Sequence, residues 1–106
     1  MNQLQKKVDT FSKKNNLSKN PDILIIDLTS EIGELAKEII KSTDYGTNKI
    51  RKITPETKSE IGDVLFVLIR LANELEMDLD SSILKVIEKY SKRKKINKSK
   101  KIGSGK

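Results

Sequence analysis

Leu28-Thr29-Ser30-Glu31-Ile32-Gly33-Glu34-Leu35 and Glu60-Ile61-Gly62-Asp63-Val64-Leu65 are the two stretches that decide the fold. Each stretch lies within a long apolar segment and places two carboxylates three residues apart. Residues at that spacing share one face of an α-helix, so the two carboxylates of each pair point the same way. Two such helices, packed antiparallel, can surround one space with four acidic side chains.

Helical patterns continue on both sides of these stretches. The first predicted helix covers residues 3–14, where apolar residues recur at helical spacing among polar ones. The second begins at Pro21, with Asn20 as its cap, and runs without a breaker apart from one glycine to Lys41. Residues 43–48 have turn chemistry, and together with the polar stretch up to residue 53 they are predicted to form a mobile loop. A plain connector is favoured over a lid that closes on a neighbouring site. A long helix is therefore predicted to carry the first acidic stretch.

Two further helices complete the chain. The third is predicted over residues 55–76, because a Thr-Pro pair opens it and the apolar period continues throughout. Asp80 is expected to cap the fourth helix, with Leu79 and Leu84 forming a hydrophobic staple around that cap. We expect the fourth helix to fray after residue 93. The predicted fold class is all-α, with a four-helix bundle-like arrangement.

Composition bounds the class of protein. The chain has 106 residues, of which 35% are hydrophobic and 4% aromatic, so one domain with a modest core and self-association are expected. It has no cysteine, which excludes disulfides, thiolate zinc sites and cysteine nucleophiles and agrees with a reducing cytoplasm. The longest apolar runs are far shorter than the roughly 20 residues of a membrane span. We predict a cytoplasmic protein with no membrane partner.

The net charge of +7 has an uneven distribution. Eight of the 22 basic residues and none of the 15 acidic ones lie in residues 92–106. The other 14 bases against 15 acids leave residues 1–91 at −1. We predict one domain over residues 1–93 and a basic, disordered tail over residues 94–106. A nucleic-acid partner is disfavoured, because the body is slightly acidic and has no aromatic platform.

The acidic residues of the second helix adjoin its apolar arc. On a helical wheel, four acidic residues lie beside the apolar ones: Asp27, Glu31, Glu34 and Glu38. Like charges at this spacing repel one another, and a bound cation would offset that repulsion. With neither histidine nor cysteine in the chain, only hard oxygen ligands are available, which favours Mg²⁺ or Mn²⁺ over zinc or copper. The pattern alone leaves an ordinary solvated acidic face as an equally good interpretation.

The two acidic stretches together resemble the signature of the MazG-like all-α nucleoside triphosphate pyrophosphohydrolases. That signature is Glu-Glu-x-x-Glu, a spacer, and Glu-x-x-Asp, and the resemblance spans about Asp22 to Arg93. Ser30 stands where this signature has its first Glu, which puts in question the support of the metal ligands by residues that do not themselves bind the metal. The resemblance implies a MazG-type fold that dimerises or tetramerises. It also implies a magnesium site, with manganese as a substitute, whose ligands are Glu31, Glu34, Glu60 and Asp63.

The resemblance further implies a reaction and its substrate contacts. A nucleoside triphosphate would be hydrolysed to the monophosphate and pyrophosphate by attack of water on the α-phosphorus, as house-cleaning of the nucleotide pool. Glu31 or Glu34 would be the catalytic proton acceptor, with Glu31 preferred. Residues expected to contact the substrate are Lys89 and Arg93, which share a helix face and suit phosphate, together with Lys58 and Asn73.

A competing hypothesis belongs to a different class of protein. The chain would then be a catalytically weak or inactive helical interaction module that retains the fold, with Ser30 as an early sign of lost activity. For Lys89 and Arg93, an ordinary solvated face fits the spacing as well as a phosphate grip does. No residue of the sequence identifies the preferred base or sugar.

Overall fold

The computed structural model describes residues 2–47, 49 and 53–103, and the side chains among these up to residue 94. The helices are α1 (Gln3–Lys14), α2 (Pro21–Ser42), α3 (Pro55–Glu74) and α4 (Leu79–Gly103), and the described residues form no strand. This confirms the all-α prediction and the bounds of the first three helices to within about two residues. Part of the predicted loop, residue 48 and residues 50–52, lies outside the described residues.

Short polar side chains begin the first three helices. The Asn2 side chain accepts a hydrogen bond from the backbone N–H of Gln5, at 2.7 Å. Asn20 and Thr54 fill the same role before the prolines that start α2 and α3. Such a residue satisfies one of the backbone N–H groups that have no partner in the first turn of a helix. The caps predicted at Asn20 and Thr54 are confirmed.

The start of α4 differs from the prediction. Asp78, not Asp80, caps the helix, because its carboxylate accepts hydrogen bonds from the backbone N–H and the hydroxyl of Ser81, at 3.0 and 2.9 Å. Asp80 lies inside the first turn and accepts a hydrogen bond from Asn2. The staple is also wrong, since Leu84 is 63% exposed.

The end of α4 differs as well. We expected fraying after residue 93, but the backbone is helical to Gly103. The side chains of residues 95–103 and all of residues 104–106 lie outside the described residues. The division into a domain and a basic tail therefore stays a prediction.

The core lies between α2 and α3, which share the largest interface among the described helices. Leu24, Leu28 and Val67 form its buried centre, and Val64 and Leu71 pack against them. Residues that come later in α3 meet residues that come earlier in α2, so the two helices are antiparallel. This orientation places the two acidic stretches at the same level.

A hydrogen-bond network around Gln5 and an aromatic pair, Phe11 with Phe66, join α1 to α3. Gln5 is fully buried, and its side-chain N–H₂ group donates to Asn73 Oδ1 at 3.0 Å and to the Met77 carbonyl at 2.8 Å. Its side-chain oxygen accepts from the backbone N–H of Leu79 at 2.9 Å, at the start of α4. One buried amide therefore links three helices.

Apolar side chains remain exposed over much of the molecule. The radius of gyration is 18.6 Å, against about 13 Å for a compact chain of this length. No described helix has the length and apolarity needed to cross a membrane. Helix α4 contacts the rest of the described chain only sparsely, and its large exposed apolar side chains are Ile83, Leu84, Ile87 and Tyr90.

Candidate metal centre

Three of the four predicted metal ligands meet between α2 and α3. Glu31, Glu60 and Asp63 each offer a carboxylate oxygen, and these oxygens lie within 4.8 Å of one another. Glu60 and Asp63 share a face of α3, and the antiparallel packing brings that face to Glu31 on α2. Three ligand oxygens at this separation can converge on one divalent cation.

The environment of Glu60 is strongly negative. Glu60 is half-buried, and its Oε2 atom is buried with no hydrogen-bond partner among the described residues. Burial raises the pKa of this carboxyl above the usual 4.5. Neighbouring carboxylates raise the pKa further, in the order Asp63, Glu31, Glu34 and Glu38.

A cation fits this arrangement. A buried carboxylate oxygen without a hydrogen bond is costly, and like charges around it add to that cost. Divalent magnesium or manganese prefers oxygen ligands, and the three side chains here supply only oxygen. The orphaned Glu60 oxygen therefore distinguishes this cluster from an ordinary solvated acidic face.

Glu34 occupies a different position from the other three predicted ligands. Its side chain is exposed, and it is not part of the close triad. Its charge is nevertheless near enough to raise the pKa of Glu60. Glu34 thus lies at the edge of the cluster, open to solvent.

The predicted phosphate-binding residues do not join the cluster. Lys89 and Arg93 are exposed on α4, where both cations lie against the Tyr90 ring, at 5.2 and 5.7 Å from its centroid. Lys58 is exposed in the first turn of α3. Among the described residues, the charges that act on the Glu60 carboxyl are all acidic.

Asn73 has a structural role in this chain. Its Oδ1 atom accepts from Gln5, and its Nδ2 atom donates to the Gln5 backbone carbonyl at 3.1 Å. Asn73 is ten residues beyond Asp63, or about 15 Å along α3. The structure therefore brings its amide to α1, and its contact with a nucleotide stays a prediction.

A cavity of about 320 Å³ opens beside the triad. It extends from Glu31 and Asp63 along the groove between α2 and α3. The sequence prediction missed it, although α3 supplies its lining at the helical positions i, i+3, i+4 and i+7 from Asp63. The lining residues are Asp27, Ser30, Glu31, Asp63, Phe66, Val67 and Arg70.

Known proteins match both the sequence and the fold. The MazG nucleotide pyrophosphohydrolase domain family matches residues 19–97. The uncharacterized protein YpjD of Bacillus subtilis (strain 168) is 43% identical over 79 residues, which cover 72% of this chain and 68% of YpjD.

Two crystal structures are similar in fold. A Bacillus-conserved MazG protein, a nucleotide pyrophosphohydrolase, superposes with a TM-score of 0.68 at 34% identity, over 82% of this chain and 84% of that one. The structure of YpjD from Bacillus subtilis gives a TM-score of 0.67 at 36% identity, over 82% of this chain and 88% of YpjD. Because sequence and fold agree over most of its length, the chain belongs to the MazG nucleotide pyrophosphohydrolase family.

Proposed function

We propose that the protein is a Mg²⁺-dependent nucleoside triphosphate pyrophosphohydrolase, which hydrolyses its substrate to a nucleoside monophosphate and pyrophosphate. The observation that supports this most is the carboxylate triad with the orphaned Glu60 oxygen, in a chain of the MazG family. The proposed role is house-cleaning of the nucleotide pool in the cytoplasm.

The ligands proposed for magnesium are Glu31, Glu60 and Asp63, with Glu34 at the edge of the site. When bound, the metal would neutralise phosphate charge and lower the pKa of a bound water. The triad itself concentrates negative charge, and no basic side chain of the described residues is among the charges acting on Glu60. These carboxylates can therefore hold a polyphosphate only through a cation.

Proton transfer is assigned to the two carboxylates of α2 at the site, Glu31 and Glu34. Glu31 is half-buried at the triad, and Glu34 is exposed one turn further along α2. Either can accept the proton of a water that attacks the α-phosphorus, and Glu31, which also lines the cavity, is the preferred acceptor. Lys89, Arg93 and Lys58 remain the proposed cations for the phosphates, because each is exposed and free to approach an anion.

The active form is proposed to be a homodimer or homotetramer. Many large apolar side chains on α2, α3 and α4 are exposed in the single chain. Burying such surface against a second copy is the usual way in which a small helical protein completes its core. The exposed apolar stripe of α4 would then be covered.

Release of pyrophosphate from a panel of nucleoside triphosphates, with and without Mg²⁺, tests the function directly. We expect activity in the wild type and strong loss in Glu60→Gln and Glu34→Gln. Glu56→Gln is the matched control, because Glu56 is an exposed acid of α3 that has no part in the triad. A folded wild type that releases no pyrophosphate from any nucleotide would instead identify a catalytically inactive interaction module.

A further inference from the structure

The cavity beside the triad has two chemically different ends. One end is formed by the carboxylates of Glu31 and Asp63, and the other by Asp27 on α2 and Arg70 on α3. Arg70 follows Asp63 by seven residues, so the two ends are about 10 Å apart along α3. The groove is therefore long enough to hold more than the phosphates of a nucleotide.

Arg70 is held in place at its end of the cavity. Its guanidinium carbon lies 5.6 Å from the centroid of the Phe66 ring, and Nη2 donates to the Ser18 carbonyl at 3.1 Å. Phe66 is in turn packed edge-on against Phe11 of α1, with ring centroids 5.9 Å apart. A cation fixed by a ring and a carbonyl presents its donors in a constant direction.

The charges at this end do not suit a polyphosphate. Arg70 contributes one positive charge and Asp27 one negative charge, and no other charged residue among those described lines that end. The carboxylate of Asp27 would repel phosphate, whereas Phe66 and Val67 offer apolar surface. The uncharged part of a nucleotide therefore fits here better than its phosphates do.

We propose that this end of the cavity binds the nucleoside of the substrate, with Asp27 and Arg70 as specificity-determining residues that contact the edge of the base. The inference rests on the proposed function and deepens it. An ionised carboxylate only accepts hydrogen bonds and a guanidinium only donates them, so Asp27 contacts an N–H group of the base and Arg70 a ring nitrogen or carbonyl. The cavity of about 320 Å³ falls in the size range of small-molecule sites.

Ser30 provides the clearest variant for a test. It is exposed, lines the cavity and makes no hydrogen bond that the described structure shows, so Ser30→Phe fills the groove without removing a contact. Asp27 is also exposed, and Asp27→Asn alters its hydrogen bonding while keeping its shape. Ala36→Phe is the matched control, because Ala36 is exposed on the opposite face of α2.

The measurement is the KM of each variant for GTP, ATP, CTP and UTP, with inorganic tripolyphosphate as a competitor that has no base. We expect Ser30→Phe to raise every nucleotide KM roughly tenfold or more and to leave inhibition by tripolyphosphate unchanged. Asp27→Asn should change the ratio of KM values between bases by roughly tenfold. Ala36→Phe should change neither quantity.

The possible results separate this inference from the proposed function. If the wild type is active and Ser30→Phe leaves every nucleotide KM unchanged, the nucleoside binds elsewhere and the inference fails alone. If tripolyphosphate inhibition weakens in parallel, the groove holds phosphates, which also overturns it. If the wild type is inactive, calorimetry with nucleoside monophosphates in Mg²⁺ decides. Weaker binding to Ser30→Phe than to Ala36→Phe supports the inference, and equal or absent binding refutes it.

Discussion

Gln5 of α1 packs against the C-terminal end of α3, whereas Glu60 lies near the N-terminal end of α3, and these two polar side chains have opposite surroundings. The Gln5 side chain is fully buried, and both of its polar atoms have hydrogen-bond partners on neighbouring elements. Glu60 has a buried oxygen without a hydrogen-bond partner among the described residues and is surrounded by other carboxylates. The Gln5 amide stabilises the fold by itself, whereas the Glu60 carboxylate needs a partner that the described part of the chain does not supply.

This difference in hydrogen bonding distinguishes a side chain that stabilises the fold from one that serves a ligand site. A buried amide whose hydrogen bonds are all made fixes the relative position of helices and has no unpaired donor or acceptor left for a ligand. An unsatisfied carboxylate in a negative environment costs stability, and a protein keeps such a group where a ligand will complete it. This contrast locates the candidate active site in the structure independently of any motif.

Loss of the Glu60 charge gives the largest effect that we predict. Glu60→Gln should lower kcat/KM in Mg²⁺ by about 100-fold to 1000-fold, because one proposed metal ligand and its charge are removed. Without metal, its thermal stability should equal or exceed that of the wild type, since a repelling carboxylate is gone. Activity and melting are both measured beside Glu56→Gln. A large loss of metal-free stability would show that Glu60 is structural, like Gln5.

Gln5→Ala tests the other side of the comparison. It leaves Asn73 Oδ1, the Met77 carbonyl and the Leu79 N–H without the Gln5 side chain as partner, so the free energy of unfolding should fall by about 2 kcal/mol. Urea unfolding measures this, and Gln3→Ala, at an exposed position of the same helix, should change stability by less than about 0.5 kcal/mol. Below its melting temperature, Gln5→Ala should retain wild-type affinity for Mg²⁺. Weakened metal binding would mean that the two ends of α3 are coupled.

Local signals were sufficient to predict the helices and part of the site. Asn20 and Thr54 each precede a proline, and this short-range chemistry placed the starts of α2 and α3 correctly. The i, i+3 spacing of Glu60 and Asp63 put them on one face, so only the pairing of α2 with α3 was needed to bring Glu31 to them. That pairing follows from the apolar faces of the two helices.

Contacts between distant parts of the chain were not predictable in the same way. Gln5 is a polar residue of an amphipathic helix, and nothing nearby indicates that it bonds to residues 68 and 74 positions away. Arg70 lines the same cavity as Asp27 because the antiparallel register sets the two residues at one level. At α4, two aspartates flank Leu79, and the choice between them depended on the Ser81 hydroxyl.

Asp78 caps α4 and lies between Met77 and Leu79, the two residues whose backbones bond to the Gln5 side chain. Asp78→Ala should reduce the free energy of unfolding by about 1 kcal/mol, because the Ser81 N–H loses its acceptor. Asp80→Ala should cost only a few tenths of a kcal/mol, since Asp80 makes one exposed hydrogen bond of 3.3 Å. Urea unfolding of the two variants compares them directly. Equal losses, or a greater loss in Asp80→Ala, would return the capping role to Asp80.

The pH dependence of stability should show both regions at once, as the smallest effect because solvent screens these partly exposed carboxyls. The pKa of Asp78 lies below the usual 3.8, since the Ser81 hydroxyl and N–H bind its charged form, so its contribution is present above that pH and is lost as pH falls. The raised pKa of Glu60 has the opposite effect on stability. The folded protein binds more protons than the unfolded chain just above pH 4.5, so stability falls as pH rises through that range.

Thermal melts in EDTA from about pH 3 to about pH 8 measure both pH dependences. Glu60→Gln should remove only the high-pH decline and Asp78→Asn only the low-pH loss, while added Mg²⁺ should reverse the decline in the wild type. A decline that survives in Glu60→Gln would place the unsatisfied charge elsewhere in the cluster.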